Sequence, residues 1–329
     1  MDRFNDFVDY ILNVTGYVIA WVNDTAKGVV QRLFGLNPVF VYETDQEVNP
    51  DGQPETNADF VKNVNEFFQN TPAERFFKDN PKFIAELAEK ASALAEDPST
   101  PICCEDLLPK TVQVTMHQQV LYCDDSGSMR HPNNSGDRWN SQNQLINRIA
   151  RITTRILPEG EGVYLRYINR DVPNSDSLKF EELPDILKQM RWDGDTPIGT
   201  NLKKKILQPL VYSKLPNNLK RPLLISVITD GGPSKRLEDK NTFADAIIEC
   251  GDRLEACGLP RESVKFLVGQ VGDSQEAVAF LKSITDEPRI ASMVFVASER
   301  LDDGVNSRLT NDWDMDKWVS TYDLVPVPV

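Results

Sequence analysis

Histidine is almost missing from this chain. His117 and His131 are its two copies in 329 residues, which argues against imidazole catalysis and histidine-rich metal sites. Cysteine is sparse: Cys103, Cys104, Cys123, Cys250 and Cys257 form an odd set without C-x-x-C spacing. Neither a disulfide framework nor a zinc site is therefore expected. Basic residues are outnumbered, with 36 Lys+Arg against 50 Asp+Glu and a net charge of −14. That balance speaks against a nucleic-acid or anionic-membrane binder, which would carry a basic face. The chain also lacks a clean membrane-spanning run. Its opening "MDRFNDFVDYILNVTGYVIAWV" starts acidic and is interrupted by Asp6, Asp9 and Asn13, so neither a signal peptide nor a membrane span is expected. A cytoplasmic, intracellular protein is the expectation, and the N-x-T sequons at Asn13 and Asn23 then have no use.

What is present changes character partway along. Residues 1–108 hold 19 acidic and 8 basic side chains, whereas the rest is nearly balanced. Within the first part, residues 4–34 space apolar side chains three and four apart, as an amphipathic helix does. Residues 37–57 read as a loop rich in Pro, Gly and acid, and further helices are predicted at 58–69 and 81–96. The division predicted is a helical N-terminal extension over 1–109 and an α/β domain over 110–329. In that domain, strands are predicted at Val112–Cys123, Gly162–Ile168, Leu223–Thr229, Val264–Val271 and Met293–Val296. Helices are predicted between them at Gln142–Ile156, Leu202–Leu207, Ala244–Ala256 and Glu276–Ile284. "LLISVIT" and "VKFLVGQV" are apolar on both faces, as buried parallel strands are. Together these segments predict a Rossmann-like, doubly wound, mostly parallel sheet flanked by helices.

The chemistry concentrates where strands end. "VLYC" runs into "DDSGSM", a D-x-S-x-S spacing that lets Asp124, Ser126 and Ser128 aim oxygens at one point, with Gly127 easing the curl. "VITDGGPS" ends a second strand at Asp230, and "WDGDTPIGTNL" places Thr196 just ahead of a helix. No basic residue lies inside these clusters. Carboxylates and hydroxyls without His or Cys form a hard-oxygen set suited to Mg²⁺ or Mn²⁺.

These five positions, with "QVGDS" at Gln270–Ser274 following in order, resemble the metal-ion-dependent adhesion site of the von Willebrand factor A (vWA) domain family. Intracellular fungal-type members with "YCDDSGSM" are similar. The resemblance covers residues 112 to near the C-terminus and leaves the first hundred unexplained. It implies a vWA fold with a divalent ion, usually Mg²⁺, at its upper face. Ser126, Ser128 and Thr196 would hold the ion directly, and Asp124 and Asp230 would act through water. It further implies a protein partner that completes the site with a Glu or Asp carboxylate, and no enzymatic activity. The balancing charge of the cluster would then be the metal.

Other readings stand beside this one. A haloacid-dehalogenase-like phosphotransferase also uses Mg²⁺ at a strand end, but it needs a second carboxylate where Ser126 stands. A metal-independent scaffold subunit would dock through the helical extension. Asp125, Asp193 and Asp195 read as solvated loop carboxylates, and His131 as a surface residue. His117 is placed on the first strand, Cys123 is a packed thiol, and Trp192 caps the core beside the metal loop. Asp312, Asp314 or Asp316 near the C-terminus could supply an internal carboxylate, and Cys103–Cys104 leaves a redox role open.

Overall fold

Apolar runs of seven residues that must bury both faces dictate the centre of the molecule. Leu223–Thr229 (β3) is buried at every position, and Gln118–Cys123 (β1) and Val264–Gln270 (β4) nearly so. Tyr164–Tyr167 (β2) alternates between half-buried and buried positions, as an edge strand does, and the short Val294–Val296 (β5) forms the other edge. The computed structural model describes residues 74–301, except 78–79, 96, 98, 101–110, 112–113, 131–137 and 298–299. The helices predicted at 4–34 and 58–69, the loop at 37–57, Cys103–Cys104, His131 and the acidic tail lie outside the described residues.

The five strands are all parallel, in the order β2-β1-β3-β4-β5. An antiparallel bridge, Val163 with Leu178, extends the β2 edge. Helices cover the sheet: Glu74–Phe77 (α1), Pro81–Ala95 (α2), Arg138–Thr154 (α3), Leu183–Gln189 (α4), Ile198–Leu202 (α5), Thr242–Ala256 (α6) and Gln275–Thr285 (α7). This is the expected Rossmann-like, doubly wound α/β architecture. One hydrophobic core runs through it, and Phe76, Phe77, Phe83, Ile84, Leu87 and Leu94 from the segment ahead of residue 110 belong to it. Among the described residues, no helix is long and apolar enough to cross a membrane.

Three local departures from the sequence reading have physical causes. The first strand starts at Gln118 rather than Val112, and His117 therefore precedes it. Thr111, Val114 and Thr115 are helical instead, with Thr115 Oγ1 donating to Thr111 O at 2.7 Å and Gln119 Nε2 donating to Val114 O at 2.7 Å. These side-chain bonds outweigh the β preference of "TVQVT". The helix predicted at 202–207 begins earlier, as α5, and widens into a π-helical stretch over Lys203–Val211. Pro209, which has no N–H to donate, lies inside that stretch. Helix α4 was not predicted, being too short to show a helical period.

Candidate functional site

The strand order places the chemistry. From β1 the chain moves to β2 on one side and then to β3 on the other, so the crevice between β1 and β3 lies where the order reverses. Ligands of open α/β sheets bind at the carboxyl ends of strands at such a point. Asp124 follows the last residue of β1, and Asp230 follows the last residue of β3. The register pairs Cys123 with Ile228, which brings Thr229 alongside Asp124.

Asp124 is fully buried and held from several directions. Thr229 Oγ1 donates to its Oδ2 at 2.6 Å, and the Ser126 N–H donates to its Oδ1 at 2.8 Å. Its backbone is clamped by Gln142 of α3, which accepts from Asp124 N at 3.0 Å and donates to Asp124 O at 2.8 Å. From there a chain of oxygens crosses the crevice. Ser126 Oγ lies 3.1 Å from Ser128 Oγ, and Ser128 Oγ donates to Asp230 Oδ1 at 2.9 Å. Four of the five anticipated residues thus meet in one network.

Thr196 arrives on the adjoining loop. Gly127 N donates to Gly194 O at 2.9 Å, tying the serine loop to the threonine loop. Thr196 is buried, and its backbone exchanges hydrogen bonds with Ser234, four residues beyond Asp230: N to Oγ at 2.9 Å, and Ser234 N to Thr196 O at 3.1 Å. Trp192, half-buried, packs edge-on against Trp139 with ring centroids 5.6 Å apart, and Arg130 lies 5.7 Å from its ring centre.

Asp125 corrects the sequence reading. It is buried rather than solvated, and its two oxygens accept the backbone N–H groups of Asn169 at 2.7 Å and Arg170 at 2.9 Å. It therefore fixes the loop after β2 to the site. Asp193 is exposed as expected, whereas Asp195 is half-buried and pairs with Arg236. The Cys123 thiol is buried, and burial with the nearby Asp125 and Asp124 charges pushes its pKa well up, which suits a packed thiol.

The residue the sequence reading missed is Arg138. It begins α3, its side chain is 7% exposed, and Nη1 donates to Asp230 Oδ2 at 2.6 Å. Nη2 reaches Asp273 Oδ1 at 3.1 Å. A basic side chain thus sits within the cluster, although none lies inside the motif stretches themselves. Its signal is a charge on a buried helical stripe, Arg138, Gln142, Leu145 and Ile149, whose second member also grips the site. Electrostatics on the other side of the crevice run the opposite way. Burial, then the Asp230 charge, raises the Asp124 pKa to about 6 against the lowering pull of the Thr229 and Ser126 hydrogen bonds.

The oxygens of Ser126, Ser128, Asp124 and Asp230, with Thr196 on the next loop, are the set that could hold a cation. Hydrogen-bonded oxygens and neighbouring oxygens on an octahedral Mg²⁺ have nearly the same separation, about 3.0 Å for metal–oxygen bonds of ~2.1 Å. The spacings of 3.1 and 2.9 Å therefore suit the exchange of hydroxyl bonds for a small hard cation. Among the described residues, no cluster of three or more His, Cys, Asp and Glu side chains is arranged to hold a metal. The present set has two carboxylates and otherwise hydroxyls.

No protein-family model matches the chain, and no curated protein sequence matches it. Among solved structures, it is similar to proximal thread matrix protein 1 of the mussel byssus in its second crystal form, at 16% identity and a TM-score of 0.40. The match covers 62% of this chain and 48% of that one, so the chain spans about half the length of the byssus protein.

Proposed function

We propose that this protein is a metal-dependent protein-binding module in which a divalent ion, Mg²⁺ or Mn²⁺, engages a Glu or Asp carboxylate of a partner protein. Ser126, Ser128 and Thr196 would hold the ion directly, with Asp124 and Asp230 behind them. When bound, the ion supplies Lewis acidity toward an incoming carboxylate. The observation that carries the reading is the oxygen chain Ser126–Ser128–Asp230 at the β1/β3 crevice. Hydroxyl ligands neutralise less of an ion's charge than carboxylates do, and so leave it attractive to an outside anion. The remaining groups position this set: Thr229 and Gln142 fix Asp124, Asp125 fixes the loop after β2, and Ser234 fixes Thr196.

Thermal unfolding of the full chain in EDTA, Mg²⁺, Mn²⁺ and Ca²⁺ tests this. A ligand at 100 times its dissociation constant adds about 2.7 kcal/mol to the native state. Each kcal/mol moves the midpoint by roughly 2–4 °C in a domain of this size. A rise of several degrees with Mg²⁺ or Mn²⁺, absent in Ser126→Ala, is the expected result. An equal rise in wild type and variant would place the ion elsewhere, and no rise with any ion would remove the metal from the reading.

A further inference from the structure

The cation already present in this site belongs to the protein. Arg138 reaches into the crevice from the start of α3 and holds Asp230 Oδ2 at 2.6 Å, the oxygen that Ser128 leaves open. The same guanidinium extends to the backbone oxygen of Ser128 at 3.4 Å and to Asp273 at 3.1 Å, so it joins the serine loop to the turn after β4. Its path is built for it. Gly272 has φ +76°, and a Cβ there would run into the Arg138 side chain. Gln270 Nε2 pins that turn by donating to Gly272 O at 3.0 Å and to Ser274 O at 3.3 Å. The placement also has a cost, because Arg138 Nε is buried without a hydrogen-bond partner among the described residues. Two ionic contacts keep it there.

We infer that Arg138 is a built-in counter-cation that competes with the divalent ion for Asp230, and so sets the concentration at which the site loads. This rests on the metal-binding reading above. A positive charge fixed on Asp230 repels a second cation in the same crevice and cancels a carboxylate charge that would attract it. The ion-free site is held closed by this pair. Loading replaces its electrostatic contribution, leaving Arg138 on Asp273 at the exposed rim. The arrangement raises the divalent concentration at which the site is half occupied.

The test uses the full chain as wild type, Arg138→Gln and Arg138→Lys, with Mn²⁺ binding read by calorimetry and by the electron paramagnetic resonance of the free ion. Unfolding midpoints in EDTA give a second readout. Arg138→Gln is expected to bind Mn²⁺ about tenfold or more tightly, to unfold at lower temperature in EDTA, and to recover toward wild type in saturating Mn²⁺. Arg138→Lys, which keeps the charge, should stay near wild-type affinity. If wild type binds Mn²⁺ and Arg138→Gln binds it equally or more weakly, the inference is overturned while the metal reading stands. If only Arg138→Gln binds, Arg138 blocks the ion outright instead of setting its loading concentration, which overturns both the inference as stated and the metal reading of the native protein. Binding by neither protein overturns both.

Discussion

Asp124 is a carboxylate held where its charge is poorly tolerated, and that has a measurable sign. Burial and the Asp230 charge raise its pKa from the ordinary 3.8 to about 6, so the native state binds its proton more tightly than the unfolded chain does. Stability from this group is fully present below the ordinary carboxylate value and is lost as pH rises through about 6. A shift of this size corresponds to roughly 3 kcal/mol at neutral pH. In EDTA, denaturant titrations should show greater stability at pH 5 than at pH 7, with the increment missing from Asp124→Asn. A divalent ion favours the ionised form, so saturating Mg²⁺ should reverse the slope. An unchanged slope in Asp124→Asn would assign the effect to another group.

Helix α5 is the element through which packing reaches the site, because it begins two residues after Thr196. Gly199 lies in this helix directly against the backbone of Thr242 and Phe243 at the start of α6, and a Cβ at 199 would overlap those atoms. Backbone cannot swing aside as a flexible side chain can, so Gly199→Ala should cost about 1–3 kcal/mol, as overpacking in a core does. Because α5 is also anchored by Tyr122 OH donating to Ile198 O at 2.9 Å, the loss should include weaker Mn²⁺ binding. Calorimetric unfolding and Mn²⁺ titration of the variant check both; a fully stable variant would mean α5 and α6 slide apart freely. Elements of this kind differ in how legible they were. Strand β3 was readable to the residue, since "LLISVIT" is apolar on both faces and stops at Thr229–Asp230. The pair Asp124 and Asp230 was readable too, because acids directly after buried strands mark their carboxyl ends. The Thr229–Asp124 bond was not, because it depends on a register between segments 105 residues apart. Nor was Arg138, 92 residues from Asp230, or the burial of Asp125 against the turn after β2. Such juxtapositions are set by the sheet order; the stripe of α3 marks Arg138 as inward-facing without naming its partner.

The core does not begin at β1. Phe76, Phe77, Phe83, Ile84, Leu87 and Leu94 are buried in the same cluster as the strands. At about 1.5–3 kcal/mol for each fully buried side chain, they represent on the order of 10 kcal/mol, an upper figure because unfolded chains are already partly collapsed. That equals much of the 5–15 kcal/mol by which a typical domain is stable. Phe83 also stacks beneath the buried Arg221 guanidinium at 4.7 Å, and Arg221 reaches Glu161 at 3.1 Å. Removing residues 1–100 would therefore uncover an arginine as well as apolar surface. Such a truncated protein is expected to lose its cooperative thermal transition or to aggregate, whereas a chain starting at residue 74 keeps these six side chains. A sharp transition near the full-length midpoint in the shorter protein would show that α2 is dispensable. The contact of α2 with the sheet lies at the opposite end from the oxygen cluster: Arg221 precedes β3, while Asp230 follows it. Truncation should therefore damage the core without removing a ligand. Saturating Mg²⁺ should raise the midpoint of whatever folded fraction remains by as much as it does in the full chain, which separates damage to the core from damage to the site.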